Sequence, residues 1–373
     1  MSEVSKQVHL AHHWWVHARG GGRVFETMAG LFPEAEISML VTATDTLSPA
    51  MRARTIITSA LQAVAPRWVD HRWLLPLFPW AVRRMPIPSG TRLLLSSDAA
   101  VIKGLPKPQG CVQVCYCHSP PRYLWEMTEE YARQTSGIGW AGRWLFRKAV
   151  YSVRAFDRRA AGNVDYFIAN SRYVAGRIRR HYGREAVVVY PPVQVERFRP
   201  HAKPGDYYLV VSELVGYKRV DLAVEACSQL GRALVVVGDG AEAQKLRALA
   251  GSTVSFRGRL PDAEVTALME GCRAFLYPQV EDFGITAVEA QAAGRPVIAL
   301  ACGGALETVI DGETGVLFPD QTVSGLMCAI SDFEVRAGSF SAEACRRQAE
   351  RFSEAQFLKR LREVLSEWVP QVM

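Results

Sequence analysis

The 373-residue chain has no Cys-x-x-Cys pair among its eight cysteines, no Asp-x-Asp motif and no Gly-x-Gly-x-x-Gly after a strand-like run. The first absence argues against a zinc or thioredoxin-like redox site, so buried free thiols are the better account of the cysteines. Cys115 and Cys117 alternate along an apolar run, and Cys227, Cys272 and Cys328 fall in helix-like segments. The second absence leaves no closely spaced aspartate pair of metal-binding type, and the third removes the dinucleotide fingerprint of an oxidoreductase. No run approaches the roughly 20 apolar residues of a spanning helix, and Met1 to Val8 has no signal-peptide h-region. The expected compartment is the cytoplasm. Internal repeats and low-complexity segments are also lacking.

What remains is an ordinary globular composition, 49% hydrophobic and 22% charged, with a net charge of +7. The charge is uneven. Residues 1–200 hold 27 basic and 14 acidic side chains, whereas the rest holds 17 and 23. A basic first half points to an anionic partner. No nucleic-acid recognition motif accompanies it.

Apolar strand-like runs alternate with helical stretches in two halves. The first half has strands at Gln7 to Leu10, Ile37 to Val41, Arg92 to Leu95, Val112 to Tyr116, Tyr166 to Ala169 and Ala186 to Tyr190, with helices such as Arg23 to Leu31 and Ser171 to His181. The second has strands at Tyr208 to Val211, Ala233 to Val237, Val254 to Phe256, Ala274 to Tyr277 and Pro296 to Leu300, with helices at Val220 to Leu230, Ala241 to Ala250 and Asp262 to Cys272. Both halves therefore read as α/β with parallel sheets. Pro191-Pro192 and the stretch to Pro200 mark the boundary, because proline breaks both neighbours. Ser341 to Trp368 reads as one helix with Phe352, Phe357, Leu361 and Leu365 on its apolar side.

The most informative segment runs from Glu281 through Asp282-Phe283-Gly284-Ile285 to Glu289. It joins the strand Ala274 to Tyr277 to a helix that stops at Gly294, with Pro296 beyond. Two carboxylates thus flank a strand-to-helix junction, the edge where parallel sheets hold ligands. The helix N-terminus offers N–H groups suited to a phosphate. The plainer alternative is a pair of solvated carboxylates stabilising the macrodipole.

This Glu-x7-Glu segment, with Gly303-Gly304-Ala305-Leu306-Glu307-Thr308-Val309 and Thr314-Gly315 downstream, resembles the signature of family four retaining glycosyltransferases of GT-B fold. The resemblance implies two Rossmann-like domains facing an interdomain cleft. Residues 1–190 would bind the acceptor, joined by a C-terminal crossing helix at about 350–373, and 201–349 would bind the nucleotide sugar. It further implies that Glu289 receives the ribose hydroxyls, that Glu281 lies by the sugar, and that amides around Phe283, Gly284 and Ile285 meet sugar and phosphate. Ser212 to Asp221 looks like the segment gripping the donor diphosphate, with Lys218 at the lysine position and Glu213 where an arginine is usual; Arg219 or Arg257 are the candidates to compensate. Gly238-Asp239-Gly240 is a β-turn-α signal or a tight turn only. Arg257-Gly258 resembles the base-pocket segment.

On the acceptor side, Gly20-Gly21-Gly22 resembles the family's first loop, with Gly22 where close relatives often have Glu. His12, His13 and His17 are kept as cleft-lining candidates. Cys117-His118-Ser119-Pro120, followed by Arg122 and Tyr123, is similar to a Cys-His-Thr-Pro segment of bacterial O-antigen mannosyltransferases, which implies that His118 touches the transferred sugar or the acceptor proton. Ala169-Asn170-Ser171 and Tyr190-Pro191-Pro192 match that group too. The resemblance implies mannose transfer from GDP-mannose, without metal or other cofactor, to a polyprenyl-diphosphate-linked glycan, at the inner face of the cytoplasmic membrane. The aromatic-basic stretch Arg67 to Trp80, continuing to Arg83-Arg84, suits an anionic headgroup interface or, alternatively, a core segment with flanking charges. Three other readings stay open. They are a UDP- or dTDP-sugar donor, an epimerase of the same shape, and a non-catalytic sugar-nucleotide or glycan-binding subunit.

Overall fold

The computed structural model describes residues 7–16, 20–65, 68–69, 71–129, 139–200 and 204–373. The chain divides into two compact units, Met1–Tyr190 with Leu358–Met373, and Pro191–Phe357.

The first unit is built on β1 (Val8–His12), β2 (Glu36–Met39), β3 (Ile56–Thr58), β4 (Leu93–Asp98), β5 (Val112–Cys117), β6 (Tyr166–Ala169) and β7 (Ala186–Val188). They lie in the order β3-β2-β1-β4-β5-β6-β7, and every pair is parallel. Every residue of β1 and β4 is buried, as a sheet covered on both faces requires. The chain leaves β1 towards one edge and β4 towards the other, so a topological switch point lies between them.

The second unit repeats the plan with β8 (Tyr207–Val211), β9 (Ala233–Val237), β10 (Val254–Gly258), β11 (Ala274–Tyr277), β12 (Val297–Leu300) and β13 (Gly315–Phe318). Its order is β10-β9-β8-β11-β12-β13, again all parallel. Leu209, Phe275 and Ile298 of the central strands are buried. The switch point here lies between β8 and β11.

Two expectations need correcting. Gly20-Gly21-Gly22 do not precede a helix; they form the first turn of the helix Gly20–Ala29. Ser341 to Trp368 is two helices, Ala342–Glu350 and Glu354–Trp368. The break exists because Phe352 turns into the core against Phe283, ring centroids 5.3 Å apart, while its carbonyl accepts from Val193 N–H at 2.9 Å. From Leu358 the last helix belongs to the first unit, where Trp368 stacks on Tyr166 at 4.4 Å. Strands β3 and β13 escape the sequence reading: β3 has three half-buried residues, too few for a periodic signal.

Candidate functional site

In the second unit the loops after β8 and β11 leave adjacent strands at the switch point. The first delivers Lys218 on a short 3-10 turn, Gly216–Lys218. The second delivers Glu281. The Lys218 ammonium donates to Glu281 Oε1, and both side chains are largely buried. The loop bearing Glu281 is clamped from β12's far side, since Gly304 N–H donates to Glu281 O at 2.9 Å. Gly284 then takes φ +95, and a Cβ there would stand 2.8 Å from the Tyr277 hydroxyl, so only glycine fits. It opens the helix Ile285–Ala292 and has no side chain to cap it. Phe283 points inward at 3% exposure, so any ligand contact there is made by backbone.

Glu289, in the second turn of that helix, is 8% exposed. Its Oε1 accepts from Arg197 Nη2 at 3.4 Å, while Arg197 Nη1 donates to Asp262 at 3.2 Å. The sequence reading treated Arg197 as boundary, and nothing in the local pattern, Glu196-Arg197-Phe198-Arg199, sets it apart from Arg199. Arg346 fixes that stretch by donating to the carbonyls of Val195 and Phe198 at 2.7 and 3.0 Å.

Arg219 is the one described non-glycine residue with positive φ, +50, and its guanidinium grips Asp221 at 3.0 Å. It is thus engaged at the start of the helix Val220–Leu230. Glu213 and Arg257 are exposed. Gly238 N–H donates to Gly258 O at 2.8 Å, joining those two candidate loops at the ends of β9 and β10.

In the first unit, His12 ends β1, Ser97 lies near the end of β4, and His118 follows β5. Gly21 lies directly over the His118 ring: a Cβ there would sit 3.5 Å from Nε2. A Cβ at Gly22 would lie 3.4 Å from the buried Trp15 indole, so a longer side chain there would have to pass that ring. Burial pushes the His118 imidazole down to about 3, and burial pushes His12 well below the usual range and lowers His13 as well. These rings are neutral donors and acceptors at neutral pH. The loop after His118 is anchored by Arg177, fully buried, which donates to Ser119 Oγ, to Pro120 O at 3.2 Å and to Glu126 at 2.9 Å. Arg122 and Tyr123 open the short helix Arg122–Trp125 beyond it. The Asn170-Ser171 match has a structural use, since Ser171 caps the helix Arg172–Tyr182 by accepting from Val174 N–H at 3.0 Å. His17 lies outside the described residues. Among the described residues no group of three or more His, Cys, Asp or Glu is placed to hold a metal ion.

Behind this cluster sits a buried ion centre. Lys103 Nζ donates to Asp98 at 3.0 Å and to Ala100 O at 2.9 Å, and it forms an ion pair with Asp157 at 2.5 Å. Trp125 and Tyr182 donate to Asp157 Oδ2 at 2.9 and 2.8 Å. Burial opposes charge on Lys103, but Asp157 and Asp98 outweigh it and hold the ammonium well above its usual pKa. Burial likewise opposes ionisation of Asp98; Lys103, His13 and the Ala100 amide outweigh it and leave its pKa lowered.

The aromatic-basic stretch divides between both of its readings. Leu75, Phe78, Ala81 and Val82 enter the core, whereas Trp68, Trp73, Leu77 and Trp80 are exposed. The long helix Gly139–Asn163 packs against it and adds exposed Trp144 and Tyr151. Arg84 lies over Trp80 at 4.8 Å and Lys148 over Trp144 at 5.5 Å. Arg67, Asp70 and the side chains of His71 and Arg72 lie outside the described part. No described helix is long and apolar enough to cross a membrane.

Residues 194–351 match the family model described as Glycosyl transferases group 1. An uncharacterized glycosyltransferase of Methanocaldococcus jannaschii is 32% identical over 46% of this chain and 50% of its own length. The GDP-mannose-dependent alpha-(1-6)-phosphatidylinositol monomannoside mannosyltransferase of Mycolicibacterium smegmatis is 30% identical over 52% of this chain and 58% of its own. The chain thus spans about half the length of the curated relatives it matches. The Anabaena protein HepE, solved in complex with UDP-glucose, superposes with a TM-score of 0.71 at 17% identity, over 96% of this chain and 99% of its own. That likeness shows the fold, an α/β architecture of GT-B type with two Rossmann-like units.

Proposed function

We propose that this chain is a retaining glycosyltransferase that moves a hexose from a nucleotide sugar, mannose from GDP-mannose in the first instance, to a lipid-linked glycan of a cell-surface polysaccharide. The observation that carries the reading is the meeting of Lys218 and Glu281 at the switch point of the second unit, with Glu289 held by Arg197 on the adjoining helix. The group 1 match covers these residues, and the mannosyl donor rests on the mycobacterial relative.

In the proposed reaction the donor's C1–O bond to phosphate breaks while the acceptor oxygen bonds C1 on the same face. The acceptor proton passes to the departing phosphate oxygen. Lys218 and the N–H groups opening the helix Ile285–Ala292 stabilise the charge that grows on that phosphate. Glu289 accepts the ribose hydroxyls, and Glu281 orients the sugar. Neutral His118 offers a hydrogen bond on the acceptor side. Gly238, Gly258, Arg257 and Arg219 border the nucleotide; Gly20, Gly21, Gly22, Arg122 and Tyr123 border the acceptor. A thermal-shift panel of GDP, UDP and dTDP tests the donor site. Selective stabilisation by GDP that is lost in Lys218→Ala and Glu289→Ala is expected. A response to UDP, the nucleotide of the HepE complex, would replace the sugar and keep the class. No response to any nucleotide would sink the donor reading.

The exposed Trp68, Trp73, Trp80 and Trp144 with Arg84 and Lys148 support a peripheral site on an anionic membrane, where indoles enter the headgroup layer and the cations meet lipid phosphate. The expected location is the inner face of the cytoplasmic membrane. In flotation with vesicles containing about a third phosphatidylglycerol, the wild type should float, and Trp80→Ser with Trp144→Ser should stay at the bottom. Equal behaviour of the two proteins would remove this face from the proposal.

A further inference from the structure

We propose that Ser97 is a positioning residue for His118, fixing the orientation and tautomer of its ring by bridging it to His12. This rests on the reading that His118 serves the acceptor side.

His12 and Ser97 are register partners on β1 and β4, at the carboxyl ends of the two strands that make the switch point. Partners across a parallel pair project to the same side of the sheet, so the two side chains meet. Ser97 Oγ lies 3.0 Å from His12 Nδ1 and 2.7 Å from His118 Nε2. A hydroxyl has one proton to donate. It therefore donates to one ring nitrogen and accepts from the other, and because it meets Nδ1 of His12 but Nε2 of His118, the two imidazoles carry their protons on the same nitrogen, both on Nδ1 or both on Nε2.

The neighbours hold this geometry in place. Ser97 O, which can only accept, lies 3.2 Å from His13 Nδ1, so that nitrogen carries the proton. His118 N–H donates to Asp98 O at 2.8 Å, and Asp98 is itself locked by Lys103. His12 is stacked on Phe25 at 4.8 Å, which removes its freedom to turn away. The face of His118 towards Gly21 is covered by backbone. Because burial keeps these rings neutral, the variable left for the protein to set is which nitrogen bears the proton. Ser97 sets it.

The test uses the full chain labelled with 15N-histidine, with the His118 resonances assigned from His118→Gln. In the wild type His118 should show the two well-separated ring-nitrogen shifts of one fixed neutral tautomer. Ser97→Ala should move them towards averaged values. Ser97→Thr, which keeps the hydroxyl, should restore them. GDP release from GDP-mannose, or UDP release from UDP-glucose should UDP be the nucleotide bound, should fall about tenfold or more in kcat in Ser97→Ala, with the donor KM unchanged. Ring shifts unaltered by Ser97→Ala would overturn the bridge itself. Altered shifts with wild-type turnover in both Ser97→Ala and His118→Ala would overturn the proposed role through failure of the functional reading, with the bridge left standing.

Discussion

Lys218→Ala is expected to lower turnover roughly 10²–10³-fold, the range found when one group stabilising transition-state charge is removed. Glu281→Gln should lower turnover by a similar factor, yet it should tighten binding of the free nucleoside diphosphate. The opposite signs follow from the contact between the two side chains. Glu281 occupies the ammonium that the diphosphate needs. An arriving phosphate must draw Lys218 away from a carboxylate, and that carboxylate is a negative charge facing the ligand. The amide removes the competition and the repulsion together, but it also removes an acceptor for the sugar's hydroxyls. Because the groups touch, the double variant should lose little beyond the worse single one. Steady-state kinetics with calorimetric GDP titration check all of these. Turnover of Lys218→Ala within threefold of wild type, or weaker GDP binding in Glu281→Gln, would refute the assignment.

The two α/β halves were legible because parallel strands buried on both faces are near-continuous apolar runs, as β9, β11 and β12 are throughout and β4 is over its first three residues. The junction at Glu281–Glu289 was legible because local rules converge there: an apolar strand, a glycine that must adopt positive φ, a helix and a stop. What the sequence hid is long-range or small. Ser97 is one serine in a strand ending Ser96-Ser97-Asp98, and only the β1–β4 register makes it the neighbour of His12. Arg197 stands 92 positions from Glu289, with no local pattern to join them. Arg219 at positive φ went unnoticed because an arginine gives no warning of that conformation. The helix break at Arg351–Ser353 was missed because the apolar spacing from Phe352 to Leu365 suits a single amphipathic face; the tertiary contact of Phe352 with Phe283 decides otherwise.

Lys103→Met should be the most damaging single change to the stability of the first unit. Lys103 was not singled out in the sequence, yet its ammonium is 1% exposed and pairs with two buried carboxylates. Methionine matches its length and leaves Asp98 and Asp157 without a cation in the interior. Breaking a buried pair by removing one partner costs about 3–5 kcal/mol. For a unit of roughly 200 residues that corresponds to a Tm lower by about 10 °C. The deficit should depend on pH with a definite sign. In the wild type the Asp98 pKa is depressed, so its contribution is present above the unfolded carboxylate range and is lost as pH falls through the folded value. In the variant the depressing cation is gone, burial dominates, and both carboxyls should titrate above their unfolded values. Burial keeps His9, His12, His13 and His118 neutral, so both proteins should lose stability as pH falls from 7 towards 5. Burial already raises Asp157 in the wild type, and the variant's further proton uptake is read in the difference: the gap should narrow. Adding Asp157→Asn should recover part of the loss at pH 7, because the amide oxygen can still accept from Trp125 and Tyr182 without a buried charge. Calorimetry at pH 5 and 7 on the three proteins decides the matter. A gap independent of pH would assign the damage to lost packing around the lysine stem, and the ion centre would then be incidental to the stability of the strand ends that carry Ser97 and His118.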